Sequence, residues 1–267
     1  MADVKGFLSE LRRRKVIHTA VVYAALAWAA IEVATTPLPV YGRARALGLT
    51  WELGLGLSFL GILETACGST DIARNHFEEA LPMQRALGDR QGGGSSLGGL
   101  AALETRAGRP DAALALYRKS FEAYHAIGDR PEEARILDEY AWTALSIDRT
   151  AEAREKFAES LQAYQEVGSV RGIGLALLGL AATHAAEARP ERAVRIAAAA
   201  ATFAEQEGVA NDDARHTAAP GYLNVARAKL DPVMVARLET EGRALSVHEA
   251  VRSALDSSDE ASHELVT

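Results

Sequence analysis

Apolar positions along this chain follow two superposed periods. In residues 110–127, PDAALALYRKSFEAYHAI, Ala113, Leu114, Tyr117, Phe121 and Tyr124 are spaced by three and four, which sets them on one face of a helix. Pro110 suits a first helical turn, Gly128 a C-terminal cap, and Asp129 the N-cap of a following helix over about 131–147. The longer period is 40 residues. Gly48, Gly88, Gly128, Gly168 and Gly208 form one column, and Leu47, Leu87, Ile127 and Val167 precede its first four members. Further columns are Ala73, Ala113, Ala153, Ala193; Leu60, Leu100, Tyr140, Leu180; and Gly61, Ala101, Ala141, Ala181. Phe77, Tyr117 and Phe157 align as large residues, and Ala197 departs from them. Such a stride predicts stacked repeats.

The pattern predicts four helical hairpins, 51–87, 91–127, 131–167 and 171–207, within a repeat region of 41–207. Each has a turn near Gly68, Gly108, Asp148 or Ala188. One hairpin cannot hide its apolar faces alone, whereas stacked neighbours can, so the expected fold is all-α: a right-handed α-solenoid with a concave face made mainly by the first helix of each hairpin. Residues 208–258 leave the period and read as a helical cap. Asp231-Pro232 starts a helix there, and Ser246-Val247-His248-Glu249 is a capping box. Residues 259–267 read as a disordered tail.

Residues 1–40 differ in pattern. Lys5, Arg12, Arg13, Arg14 and Lys15 precede VIHTAVVYAALAWAAIEVATT, residues 16–36, which Pro37 and Pro39 close. Twenty-one helical residues reach about 31 Å, enough for a bilayer. The basic cluster before the span predicts a single-pass membrane protein with its N-terminus in the cytoplasm; a cytoplasmic chain is the alternative. Seven alanines, His18 and Glu32 weaken the run, so a signal peptide and a helix packed on the protein compete with it.

Composition narrows the function. Alanine makes up about a fifth of the chain and aromatic residues 6%, which favours helix over strand. A net charge of −7 argues against nucleic-acid binding, and the single Cys67 excludes an internal disulfide framework. None of the seven histidines stands at zinc-ligand spacing from Cys67 or from another histidine. Glu64, Glu78, Glu79 and Glu104 read as solvated helix faces, and Ser95-Ser96 lacks the elbow and base that a nucleophile needs. The run Gly92-Gly93-Gly94, with Gly98 and Gly99, does not follow a strand. It reads as a flexible joint at the start of the second hairpin rather than a phosphate cradle.

Three resemblances join this reading. Leu60, Gly61, Ala73, Phe77 and Ala80 stand where tetratricopeptide repeats of the longer, forty-residue kind place their leucine, small, alanine and aromatic positions. The early tryptophan of the first helix and the proline after the second are missing. Residues 172–200 and 241–255 resemble the end of the repeat arm in bacterial STAND-class ATPase transcription regulators, although no phosphate-binding G-x-x-x-x-G-K-[ST] motif is present. FLSELRRR, Tyr23, Trp28 and the closing Pro-Leu-Pro resemble the single-span anchor of bacterial proteins that carry such repeats or adenylate-cyclase-like domains.

The resulting expectation is a non-enzymatic, membrane-anchored interaction module that needs no cofactor, metal or small-molecule substrate. It would capture a peptide segment of a protein partner in its groove. The register places Leu55, Ser58, Ile62; Ser95, Gly98, Ala102; Arg135, Asp138, Trp142; and Leu175, Leu178, Ala182 on that surface. Arg135, Asp138, Trp142, Leu175 and Leu178 are the candidate partner-binding residues, with Trp142 and Arg135 the expected hot spot. Packing of Trp142 between hairpins is the competing reading. The alternative functions are a soluble regulatory fragment serving a separate ATPase, cyclase or transcription regulator, and a remnant of a larger protein.

Overall fold

A computed structural model describes residues 50–206 and 219–256. All regular structure among them is helical: α1 Thr50–Cys67, α2 Thr70–Leu87, α3 Arg90–Arg106, α4 Pro110–His125, α5 Arg130–Leu145, α6 Thr150–Glu166, α7 Val170–Ala186, α8 Pro190–Gln206, α9 Ala219–Ala228, α10 Pro232–Arg243 and α11 Val247–Leu255. Consecutive helices α1/α2, α3/α4, α5/α6 and α7/α8 pair as antiparallel hairpins, and each hairpin packs on the next.

The turns repeat every 20 residues. At each, the N–H after the turn residue bonds a carbonyl five residues back: Ser69 to Glu64 (2.8 Å), Asp89 to Gln84 (2.8 Å), Arg109 to Glu104 (3.0 Å), and so on through Arg189 to His184 (2.9 Å). This motif needs a left-handed residue at its centre. Gly68, Gly88, Gly108, Gly128 and Gly168 supply it, and so do Asp148 (φ 61°) and Ala188 (φ 58°), where a Cβ makes the conformation costly. Asp89, Asp129 and Ser169 then cap α3, α5 and α7 by accepting from Gly92, Glu132 and Gly172 N–H.

Small residues let the helices close up. Ala73, Ala101, Ala113, Ala141, Ala153, Ala181 and Ala193 are all fully buried. The second helix of each of the first three hairpins also sends a polar side chain to a carbonyl of its partner helix: Gln84 Nε2 to Gly54 O (3.3 Å), Ser120 Oγ to Gly94 O (2.7 Å) and Ser160 Oγ to Ala134 O (2.8 Å).

The large residue near the middle of α2, α4 and α6 reaches across to the first helix of the next hairpin. A Cβ at Gly99 would lie 2.3 Å from Phe77, and one at Gly179 would lie 2.2 Å from Phe157. In the hairpin between, the aromatic is Tyr117, and at the equivalent position Glu139 accepts its hydroxyl proton at 3.0 Å. The glycines of α3 thus sit within a regular helix, and Gly92, Gly93, Gly94 and Gly98 are buried. Gly94 and Gly99 leave room for the rings of Tyr124 and Phe77. That is a packing role, where sequence reasoning expected a flexible joint.

The C-terminal helices cover the end of the stack. α10 lies on α8 so closely that a Cβ at Gly242 would meet the Arg195 carbonyl oxygen at 2.2 Å. Tyr222 on α9 reaches back to the Leu145 carbonyl (3.2 Å), and His184 Nε2 lies 3.1 Å from the Ala254 carbonyl on α11. A carbonyl only accepts, so this nitrogen carries the proton. The capping box at Ser246 and Glu249 is formed. The helix α9, with Pro220 in its first turn, has no counterpart in the sequence reading.

The anchor segment 16–36 and the tail 259–267 lie outside the described residues. Among the described residues no helix is long and apolar enough to cross a membrane.

Candidate interaction groove

The first helices of the first three hairpins, α1, α3 and α5, enclose a cleft of about 560 Å³. Its three sides differ chemically because the same repeat column carries different residues in each hairpin. The α1 wall is apolar: Trp51, Leu55, Phe59 and Ile62 face the cleft, with Trp51 52% and Ile62 46% exposed. The column that begins with Trp51 continues as Gln91, Pro131 and Arg171. The α3 floor is nearly bare, made by Gly92, Ser95, Gly98, Gly99 and Ala102.

The α5 wall is charged, made by Glu132, Arg135 and Glu139. Arg135 donates from Nε to Glu132 (2.7 Å) and from Nη1 to Glu139 (2.7 Å). Its Nη2 stands 3.8 Å from where a Cβ of Gly98 would lie. Burial opposes the arginine charge, but Glu139 and Glu132 outweigh it and the pKa is raised. Tyr124, under the floor, has its hydroxyl pKa pushed up to about 12 by burial and then by Glu132. Tyr117 is raised by burial and by Glu139. Both phenols stay neutral near pH 7 and act only as hydrogen-bonding groups. Two carboxylates around one guanidinium leave this wall one negative charge in excess.

Below the α1 wall, Ser58, Ser96 and Gln84 form a buried network. Gln84 Nε2 donates to Ser58 Oγ (2.7 Å), Ser96 Oγ donates to Gln84 Oε1 (2.9 Å), and the two hydroxyls are 2.9 Å apart. This ties α1 to α3 and fixes the width of the cleft. Neither serine has a base beside it. Among the described residues no three His, Cys, Asp or Glu side chains gather where a metal ion could be held.

The residues read from sequence separate here. Leu55, Ser58, Ile62, Ser95, Gly98, Ala102 and Arg135 line the cleft. Asp138 and Trp142 are buried in α5, and the Trp142 ring packs edge-on against Phe157 with centroids 5.2 Å apart. Leu175 and Leu178 are half-buried on α7 beyond the cleft, with Leu178 against the main core. Trp51, Phe59, Glu132 and Glu139 were missed. Trp51 was legible as the one large aromatic in an otherwise polar or proline column, whereas Glu139 becomes meaningful only once Tyr117 is seen to reach it.

The geometry defines a class: helical hairpins stacked around a concave, partly apolar groove. A tetratricopeptide-repeat family model matches residues 53–126 and 94–166, which together span somewhat under half of the chain. The crystal structure of BtubC (BKLC) from P. vanneervenii is similar over 77% of this chain and 89% of that one, with a TM-score of 0.55 and 18% sequence identity. That likeness extends to the fold. No curated protein matches the chain.

Proposed function

We propose that the protein is a non-catalytic interaction module whose α1–α3–α5 cleft takes a peptide segment of a protein partner. The exposed Trp51 carries this reading, because it stands with Leu55, Phe59 and Ile62 across a glycine floor from an ion-paired arginine. Exposed aromatic anchors beside a fixed arginine make binding hot spots. The excess negative charge on α5 favours a segment that pairs apolar side chains with a lysine or arginine. Trp142 acts as a core residue behind this wall.

Two finer elements belong to the same proposal. Residues 16–36 anchor the module to a membrane, which retention after alkaline extraction would support and release would refute. The similarity to STAND-class repeat arms suggests a regulatory partner.

A photo-crosslinking residue at Ile62, in the full chain, identifies the captured segment. A synthetic peptide of that segment then titrates the protein. Trp51→Ala is expected to weaken binding at least about tenfold, as loss of a hot spot does. Unchanged affinity in Trp51→Ala and Ile62→Ser would refute the cleft as the binding site.

A further inference from the structure

The walls of the cleft bear on the conformation of what it takes. Its lining is helical, so past the first turns the backbone groups of α1, α3 and α5 are bonded within their own helices. The polar side chains are mostly engaged as well. Arg135 donates to Glu132 and Glu139, Asp89 accepts from Gly92 N–H (2.9 Å), and Thr65 Oγ1 donates to the Gly61 carbonyl (2.7 Å). Ser95 bonds the Tyr124 hydroxyl. An extended segment would lay its own N–H and C=O groups against such walls with few partners. A helix arrives with those groups already paired.

The floor favours the same answer. Gln91, Ser95, Gly98 and Ala102 follow one another by four, three and four, and so form one stripe of α3. The same columns on α1 hold Trp51, Leu55, Ser58 and Ile62. The small residues of the α3 stripe let a second helix axis approach to about 8 Å, the near end of the usual range. From Trp51 to Thr65 the cleft extends about 21 Å along α1, which about fourteen helical residues span.

We infer that the occupant is an amphipathic α-helix with its apolar flank against α1 and Lys or Arg on the flank against α5. This rests on the cleft being the peptide site proposed above. The charge of the lining sets the second flank: Asp89, Glu132 and Glu139 stand against the single cation Arg135. On α5 the Glu132 side chain is the more open carboxylate, 36% exposed against 16% for Glu139. A lysine or arginine stem lying over the glycine floor reaches it without displacing Arg135.

The probe is a display library of random peptides of that length, selected on the full chain and counter-selected on full-chain Trp51→Ala. Trp51 is 52% exposed, so its loss leaves the fold intact. Peptides held only by the native protein are expected to carry apolar residues at steps of three and four, with Lys or Arg on another flank. Bound, carbon-13-labelled copies are expected to show helical Cα shifts. A proline at the centre is expected to weaken binding at least about tenfold, and Glu132→Gln about threefold, with a shallower salt dependence. Trp51-dependent peptides with extended shifts, a tolerated central proline or an acidic flank would overturn the helix while leaving the cleft as a peptide site. Finding no Trp51-dependent peptide, as when a second copy fills the cleft, would overturn both.

Discussion

At the scale of single residues, glycine has three distinct uses in this chain, and substitution separates them. Gly99 leaves space for the Phe77 ring, so Gly99→Ala is expected to destabilise by about 1–3 kcal/mol through overpacking despite its better helix propensity. Gly93 lies in the same helix, buried, with nothing within 4 Å of where its Cβ would be. Its column holds Leu53, Glu133 and Ile173, so Gly93→Ala is expected to stabilise by up to about 1 kcal/mol. The turn positions give the converse case: Ala188 holds φ 58° where five glycines stand in equivalent turns, and Ala188→Gly is expected to stabilise by about 1 kcal/mol. Urea denaturation of the three variants checks all three signs. Opposite results for Gly93 and Gly99 would be expected only if packing, rather than propensity, decides in α3.

At the scale of elements, the joint between the last hairpin and the cap is expected to depend on pH. His184 is buried on α7 and donates to the Ala254 carbonyl at the end of α11. Burial lowers its pKa most; Arg192 and Arg154 lower it further, while the Ala254 bond and Glu187 oppose them. The native state therefore binds a proton less readily than the unfolded chain does. Stability from this site is present above the unfolded value of about 6.5 and is lost as pH falls through the lower native value. Melting temperature is expected to drop below about pH 6.5, and His184→Gln is expected to flatten that drop. An unchanged pH profile in the variant would exclude this site as the cause. The element scale is also where the sequence was most readable. A stride of 40 and its turn glycines set out the hairpins, because every hairpin solves the same packing problem. The candidate groove was less legible. Column position could place Arg135 on its rim, but could not tell that α5 rotates Trp142 into Phe157, since that depends on a contact with the next helix. The short helix α9 left no period to read.

At the scale of the molecule, the core is uneven. The buried residues from α4 through the cap form one continuous cluster, whereas those of α1 and α2, with Leu100 and Leu103 from the second half of α3, fall into two small ones. Repeat stacks gain stability from each interface in turn, so the end with the smaller clusters opens first. Amide exchange in rising urea is expected to show α1 and α2 opening before α6 and α7; simultaneous opening would mean that the stack behaves as one cooperative unit. The candidate cleft lies across this weaker end, so a segment bound there as proposed, bridging α1 and α5, is expected to delay that opening as well.

The pairing of Phe77 with Gly99, Tyr117 with Glu139, and Phe157 with Gly179 has a consequence for recombination. Each matched pair straddles the join between neighbouring hairpins, so modules exchanged at Gly88 or Gly128 would bring a phenylalanine against a glutamate, or a tyrosine against an empty notch. Segments cut instead at Gly68, Gly108 or Asp148 keep both members of these three pairs together, at the cost of separating contacts inside a hairpin such as Phe77 with Gly61 and Tyr124 with Gly94. For the three aromatic pairs, the unit that travels intact runs from the second helix of one hairpin to the first helix of the next.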